Sequence, residues 1–387
     1  MKFEESRRLR DLPPYLFAEI DRKIQKKRQD GVDVISLGIG DPDIPTPDGI
    51  IMELKKEAEN PENHRYPSSY GMHGFREAAA GYYRDRFGVE LDPSSEVITL
   101  SGAKEGIANI AYTYIDSGDH VLVPDPSYPV YDIGTMFAGG KTHIMPMEER
   151  NGYLIDLDSI DRKIARGAKL MHINYPNNPT SAVCGLDFFE EVVDFASKNN
   201  IIVCHDNAYA DTYFGDEEPC SFLSAQGAGD VGIEFYSLSK TFNMTGWRIG
   251  FAAGNKEIIA SLGKYKTNVD SGVFNAVQYA GIEALKHQKE YSRANNIIYK
   301  KRREMTASIL DRIGIDYYRS NATIYVWARV PEGHTSESFA ALMLDRADVV
   351  VTPGSAYGKQ GEGYFRISLT IDDARLEEAL DRINKAM

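Results

Sequence analysis

The stretch Ser237-Leu-Ser-Lys240-Thr-Phe-Asn-Met-Thr-Gly-Trp-Arg248-Ile-Gly follows an apolar run that has the pattern of a buried strand, Gly232–Ser237. Hydroxyl groups and a guanidinium bind phosphate through charge-assisted hydrogen bonds, so Ser237, Ser239 and Arg248 predict an anion site beside the Lys240 amine. Neighbouring cations and partial desolvation favour a neutral amine, which can form an imine. A solvated loop lysine is the plainer interpretation, but the whole string favours the chemical one.

Outward from this stretch, short buried runs alternate with amphipathic stretches. Fully apolar strands that alternate with helices predict an α/β fold, with a mainly parallel sheet covered on both faces. The other predicted strands of this sheet are Glu96–Leu100, His120–Pro124, Leu170–Asn174, Ile201–His205 and Ile249–Ala253, and helical patterns such as Lys104–Ile115 and Asp187–Ser197 separate several of them.

The predicted sheet and its helices form a large domain over residues 46–285. Residues 286–387 form a smaller α+β domain, which residues 1–45 join as an N-terminal arm. Its predicted elements are the helices Gln288–Arg312 and Asp372–Met387 and the strands Tyr325–Val330 and Tyr364–Leu369.

Composition excludes several classes of partner. The chain has 387 residues, of which 42% are hydrophobic, and a net charge of −13, which argues against a nucleic-acid partner. No apolar run approaches the roughly 20 residues that cross a bilayer, so no membrane partner is expected. The three cysteines form no C-x-x-C pair and favour a cytoplasmic location. The eight histidines show no metal-ligand spacing, and Gly38-Ile-Gly40 lacks the third glycine of a dinucleotide loop.

Three further motifs lie at predicted strand ends. Asp206 and Tyr209 follow a buried strand, where they could simply cap a turn. Asn178 lies in Asn174-Tyr-Pro-Asn-Asn-Pro-Thr-Ser181, which could be a plain Asn-Pro turn. Gly102, Ala103 and Lys104 mark a change from strand to helix, where free N–H groups suit a phosphate.

Taken in order, these motifs resemble those of the fold-type I (class I/II) aminotransferases, which use pyridoxal 5'-phosphate. The resemblance implies that Lys240 forms the imine with the cofactor and later moves the substrate proton. It places Asp206 against the pyridine nitrogen and lets Tyr209 and Asn178 hydrogen-bond the phenolic oxygen. Ser181 stands where the family usually has glycine, a departure that bears on the local backbone conformation.

The resemblance assigns the remaining site residues as well. Tyr128 stacks on the pyridine ring, although a core tyrosine competes with this interpretation. Arg366 grips the substrate α-carboxylate, although a structural salt bridge would also satisfy it. Tyr66, preferred to Tyr70 by its spacing to Gly71, reaches the phosphate in the neighbouring subunit and so implies a homodimer with shared active sites. The cofactor phosphate lies among Gly102, Ala103, Lys104, Ser237, Ser239 and Arg248.

Over nearly the whole chain the sequence resembles one branch, the LL-diaminopimelate aminotransferases. The branch implies transfer of an amino group between LL-2,6-diaminopimelate and 2-oxoglutarate, giving tetrahydrodipicolinate and glutamate on the lysine route. It implies that Asn275 contacts both cofactor and substrate. The substrate-binding residues are Tyr15, Gly40, Lys104, Tyr128, Asn178, Asn275 and Arg366.

Other functions remain open at this point. A broad-specificity aspartate, alanine or aromatic aminotransferase and a carbon–sulfur β-lyase fit the same motifs, because few residues change the side-chain pocket of this fold. A cofactor-binding regulatory module is a further alternative, against which the lack of a DNA-binding extension counts.

Overall fold

The computed structural model describes residues 3–12 and 18–387, without the side chains of residues 18–21. The strands are β1 Ile35–Ser36, β2 Val97–Leu100, β3 His120–Asp125, β4 Lys141–Pro146, β5 Ala168–Ile173, β6 Ile202–Asp206, β7 Gly232–Ser237, β8 Gly250–Gly254, β9 Tyr325–Arg329, β10 Val349–Val350, β11 Thr352–Pro353 and β12 Tyr364–Ser368. The α-helices are α1 Arg7–Arg10, α2 Ala18–Gln29, α3 Asp48–Ala58, α4 His73–Phe87, α5 Ala103–Tyr114, α6 Val130–Ala138, α7 Arg162–Gly167, α8 Leu186–Asn199, α9 Ala228–Val231, α10 Leu238–Thr241, α11 Lys256–Lys266, α12 Asn275–Lys286, α13 Gln288–Arg312, α14 Ser336–Ala347 and α15 Asp373–Ala386.

The large sheet has seven strands in the order β2-β8-β7-β6-β5-β3-β4. Strand β8 runs antiparallel to both of its neighbours, and the other neighbouring pairs run parallel. Every residue of β2, β7 and β8 is buried, as continuous apolar runs predict for a sheet covered on both faces. The predicted mainly parallel α/β fold is therefore confirmed.

Helices cover both faces of this sheet. On one face, Phe75 and Tyr83 of α4 pack in one apolar cluster with Tyr236 and Phe251 of the sheet. On the other face, the apolar side of α5 joins a second cluster with sheet residues of the opposite orientation. The two clusters hold the strands in place, so that the strand ends form a rigid base for a site.

The edge strand β4 is absent from the strands that the sequence predicted. Its residues Lys141–Pro146 are largely exposed or half-buried, and only Met145 among them is buried. An edge strand with solvated side chains lacks the continuous apolar run by which central strands are recognised.

The C-terminal residues build a smaller layer against the large sheet. Strands β11, β12 and β9 form an antiparallel sheet, and its cluster includes apolar residues of α13, α14 and α15. Strand β1 pairs in parallel with β10, which ties the N-terminal segment to this part. The predicted domain boundaries at residues 45 and 285 are compatible with these clusters and stay a prediction.

Among the described residues, no helix is long and apolar enough to cross a membrane.

Candidate active site

A cavity of about 580 Å³ lies where the carboxyl ends of β5, β6 and β7 meet residues of the small sheet. This edge is the usual place for a ligand in a sheet of parallel strands, because the loops that follow the strands converge there. The cavity brings together most of the predicted site residues, namely Gly40, Ala103, Lys104, Tyr128, Asn178, Asp206, Tyr209, Ser237, Ser239, Lys240, Arg248 and Arg366.

One end of the cavity has the groups of a phosphate cradle. Helix α5 begins at Ala103, directly after Gly102, whose φ of 85° favours glycine. A Cβ atom at Gly102 would lie 2.5 Å from Nη2 of Arg248, so only glycine lets the guanidinium approach the helix start. Ser237 and Ser239 line the same cavity. Free helix N–H groups, two hydroxyls and a guanidinium suit a bound phosphate.

Asp206, the last residue of β6, is a buried carboxylate at the base of the cavity. Its Oδ2 accepts a hydrogen bond from Tyr131 at 2.8 Å and its Oδ1 accepts one from the Ala208 N–H at 3.3 Å. Burial raises the pKa of Asp206, against the lowering effect of the Tyr131 hydroxyl. Within the described part of the chain, no cation forms a hydrogen bond with this carboxylate. The protonated ring nitrogen of a ligand would supply that missing cationic partner.

Lys240 extends its amine into the cavity from α10, which starts where β7 ends. Its Nζ donates to the carbonyl oxygen of Gly40 at 2.6 Å. Ser237 and Ser239 line the same cavity as this amine.

Arg366, on β12, is a buried guanidinium with one free nitrogen. Nη1 donates to Oδ1 of Asn178 and Nη2 to the carbonyl oxygen of Gly38, both at 2.7 Å. Its Nε is buried and has no partner among the described residues. An unpaired guanidinium N–H in a polar cavity suits a ligand carboxylate. Because Asn178 uses its oxygen for Arg366, its Nδ2 group is left to donate to a ligand.

The segment that follows β1 contributes main-chain carbonyl groups to both sides of the site. Besides Nη2 of Arg366, the Gly38 oxygen accepts the Thr352 hydroxyl at 2.8 Å. The Ile39 oxygen accepts the Thr370 hydroxyl at 2.9 Å. With the Gly40 oxygen on Lys240, three consecutive carbonyls connect the small sheet to the amine.

Three tyrosines contact site residues although the sequence did not single them out. Tyr131 donates to Asp206, and the hydroxyls of Tyr325 and Tyr209 lie 2.8 Å apart. The ring centres of Tyr325 and Tyr357 lie 3.9 and 4.9 Å from Cζ of Arg366. Only Tyr131 had a signal, since it lies three residues after the predicted site residue Tyr128; the others are distant in sequence from their partners.

Three predicted residues do not line the cavity, and a fourth is outside the described residues. Gly102 directly precedes the lining residue Ala103. Tyr66 is 89% exposed on the surface before α4. Asn275 starts α12, and its Oδ1 accepts from Gln278 at 3.4 Å. Tyr15 falls outside the described residues. The alternative to Tyr66, Tyr70, instead donates its hydroxyl to the Ala260 carbonyl at 3.4 Å.

Comparison with known proteins places this geometry in context. The model of the family "aminotransferase class I and II" matches residues 32–383. The LL-diaminopimelate aminotransferase of Aquifex aeolicus is 55% identical over 381 residues, which are 98% of this chain and 98% of that protein. The enzyme of the same name from Moorella thermoacetica is 54% identical over 385 residues, 99% of this chain and 98% of its own length.

Solved structures show the same fold. Substrate-bound BacF from Bacillus subtilis superposes with a TM-score of 0.94 at 37% identity, and the match covers 100% of this chain and 98% of that one. A double mutant of Thermus thermophilus aspartate aminotransferase gives a TM-score of 0.93 at 26% identity, with both chains covered completely.

Proposed function

This chain belongs to the class I and II aminotransferases, and from that premise we propose that it transfers an amino group between LL-2,6-diaminopimelate and 2-oxoglutarate. The products in the first direction are tetrahydrodipicolinate and glutamate. The observation that carries the proposal is one cavity that holds Lys240, Asp206 and Arg366, in a chain 54–55% identical to enzymes of that name.

The residues present fit pyridoxal 5'-phosphate. Gly102–Lys104, Ser237, Ser239 and Arg248 would hold its phosphate, and Asp206 would hold the proton on its ring nitrogen. Asn178 and Tyr209 would donate to its phenolic oxygen, and Tyr128 would pack against its ring. When bound, the cofactor supplies a conjugated ring that accepts the electron pair left when the substrate loses its α-proton.

The chain's own groups then have separate tasks. Arg366 binds the substrate α-carboxylate through its free Nε and orients the α-carbon. Lys240 takes the α-proton of the substrate on Nζ and would pass it to the C4′ carbon of the cofactor, which requires that the hydrogen bond from Nζ to Gly40 breaks. The buried position of Asp206 keeps water away from its charge and strengthens its hold on the ring proton.

Lys240→Ala tests the assignment of the amine. Turnover should be lost, and treatment of the cofactor-loaded protein with borohydride should no longer fix the cofactor to the chain. Mass spectrometry measures that fixation directly. A borohydride-resistant cofactor adduct in Lys240→Ala would refute the assignment.

The substrate is distinguished by its second end, which carries another carboxylate and ammonium. Lys104 is a candidate for the distal carboxylate, because its Nζ lies 5.6 Å from the ring centre of Tyr128 within the cavity. Lys104→Met should raise KM for LL-diaminopimelate about 10-fold and leave KM for alanine unchanged. Lys300→Met, at an exposed position of α13, is the matched control.

Purified protein incubated with LL-diaminopimelate, aspartate, alanine, an aromatic amino acid or cystathionine separates the candidate functions. We expect 2-oxoglutarate-dependent glutamate formation from LL-diaminopimelate alone. Equal rates with aspartate, alanine or the aromatic amino acid would support a broad-specificity aminotransferase instead. Ammonia and pyruvate from cystathionine would indicate a β-lyase.

A homodimer with shared sites is the second part of the proposal. Large apolar side chains are exposed at Met52 of α3 and at Phe274 directly before α12, and α3 packs on α12. Tyr66 and Val269 are exposed in the loops before α4 and α12, which approach each other so closely that a Cβ atom at Gly272 would lie 2.6 Å from the Ser68 carbonyl oxygen. Singly exposed apolar residues are ordinary, but a group of them beside an unused Tyr66 is typical of an interface. Tyr66 and Asn275 of one subunit would then contact the cofactor bound in the other subunit.

Subunit mixing tests the shared site. Tyr66→Ala and Lys240→Ala should each be nearly inactive, and exchange of their subunits should restore activity. The hybrid would contain one site with Lys240 from one chain and Tyr66 from the other. Unchanged inactivity after proven subunit exchange would refute the sharing.

A further inference from the structure

Tyr325, the first residue of β9, is a buried cavity residue that touches both halves of the site. Its hydroxyl lies 2.8 Å from the hydroxyl of Tyr209, and its ring lies 3.9 Å from Cζ of Arg366. The proposed function uses Tyr209 toward the cofactor and Arg366 toward the substrate. Tyr325 therefore joins two residues that otherwise act on different molecules.

The proposed function determines which of the two hydroxyls, that of Tyr325 or that of Tyr209, is the donor in the hydrogen bond between them. Each phenol has one hydrogen to donate. If Tyr209 donates to the phenolic oxygen of the cofactor, the hydrogen between the two tyrosines must come from Tyr325. Because hydrogen bonds in a chain polarise one another, donation from Tyr325 makes Tyr209 a stronger donor.

The other contact orients the guanidinium. The ring of Tyr325 packs on Arg366, and the ring of Tyr357 lies near it as well, at 4.9 Å. A cation close to an aromatic ring is attracted to it, more strongly in a site without water. Nη1 and Nη2 are already hydrogen-bonded to the protein. The packing therefore fixes the plane of the guanidinium group, and with it the direction in which the free Nε can donate to a carboxylate.

Tyr325 is itself fixed by its backbone and its surroundings. Its carbonyl oxygen accepts from Nη1 of Arg303 at 2.8 Å and from the Ser181 hydroxyl at 3.0 Å. A Cβ atom at Gly40 would lie 2.0 Å from its hydroxyl oxygen, so the absence of a side chain there leaves the space that the hydroxyl needs. A residue placed this tightly can transmit a change from one partner to the other.

We propose that Tyr325 is a positioning residue that couples the carboxylate-binding Arg366 to the phenolic oxygen of the cofactor through Tyr209. The proposal rests on the proposed function. Its hydroxyl sets the strength of the Tyr209 hydrogen bond, and its ring sets the orientation of Arg366.

The two parts are separated by two substitutions in the cofactor-loaded protein. Tyr325→Phe removes the hydroxyl and keeps the ring. With a weaker donor at Tyr209, the phenolic oxygen carries more negative charge and retains the proton on the adjacent Lys240 nitrogen more firmly. The pH midpoint of the visible absorbance change should rise, by less than in Tyr209→Phe, and KM should change less than twofold. Tyr325→Leu removes the ring as well and should raise KM for the amino acid by about 2- to 30-fold.

Tyr357→Phe is the matched control, because Tyr357 also packs on Arg366 but its hydroxyl does not contact Tyr209 among the described contacts. Its absorbance midpoint should equal that of the unmodified protein. An equal midpoint in Tyr325→Phe and Tyr357→Phe, with a raised midpoint in Tyr209→Phe, would overturn the proposal for Tyr325 alone. Absence of any visible cofactor band in the unmodified protein would overturn the proposed function, and this proposal with it.

Discussion

Ser181 offers a quantitative test of how the site loop is held. It lies in the loop between β5 and α8 that also carries Asn178, and it occupies the left-handed region with φ 65°. Its hydroxyl contacts the Thr323 hydroxyl at 2.5 Å and donates to the Tyr325 carbonyl at 3.0 Å. The left-handed backbone accounts for the glycine that is usual at this position, and the two hydrogen bonds account for serine here.

These contacts give the expected size of two substitutions. Ser181→Ala keeps the strained backbone and loses both hydrogen bonds, at about 1 kcal/mol each, so the free energy of unfolding should fall by about 2 kcal/mol. Ser181→Gly loses the same bonds but relieves about 1 kcal/mol of left-handed strain, for a net loss of about 1 kcal/mol. The expected order of stability is serine, then glycine, then alanine.

Urea unfolding of the cofactor-free variants at one protein concentration, followed by circular dichroism, measures these differences. An alanine variant as stable as the parent would show that the hydroxyl contributes nothing. An alanine variant as stable as the glycine variant would show that the backbone at this position is not strained.

Three further outcomes follow from single contacts. Burial raises the pKa of Glu234, but hydrogen bonds from His205 and other donors hold that pKa below its usual value. Its stabilisation is thus present above about pH 4.3 and is lost as the pH falls through the folded-state pKa. Glu234→Gln should destabilise the protein at pH 7 by about 3 kcal/mol and weaken the acid dependence of unfolding, and an unchanged pH profile would count against this. Tyr131→Phe removes a donor to Asp206 and should weaken cofactor binding about 10-fold in an absorbance titration; equal affinity would contradict the role. Arg366→Lys cannot reproduce the guanidinium contacts and should raise KM for the amino acid about 100-fold, whereas a change under fivefold would exclude it as the carboxylate anchor.

The central strands and the long helix were predictable because their apolar residues form continuous runs in the strands and a periodic pattern in the helix. Helix α13 has the predicted bounds, and β7 has the predicted residues Gly232–Ser237. Strand β4 was not predicted. An edge strand needs only one apolar face, and in Lys141–Pro146 only Met145 is buried. The two-residue strands β1, β10 and β11 were not predicted either, because two residues show no recognisable period. The strands that were predicted differ from the observed ones by a residue or two at their ends, as at β8, which starts at Gly250.

The site was predictable to the extent that its residues lie in local motifs. Asp206 ends β6, Lys240 lies three residues after β7, and Arg248 lies two residues before the antiparallel β8, so sequence position alone indicated a common edge. Tyr325 lies in no such motif, because its role depends on contact with Tyr209, which lies 116 positions away in the chain. Contacts of this kind depend on how the small sheet packs against the large one, and the pattern of apolar residues in the sequence does not indicate this packing.

The three carbonyls of residues 38–40 have a consequence for how substrate range can change. Because the main chain makes the contacts to Arg366 and Lys240, these contacts do not use the side chain of Ile39, although position 40 must stay glycine to leave room for Tyr325. Ile39 is 72% exposed, and both it and Asp41 line the cavity. Substitutions at Ile39 and Asp41 can therefore vary the chemistry at the mouth of the site while the main-chain contacts to Arg366 and Lys240 stay the same.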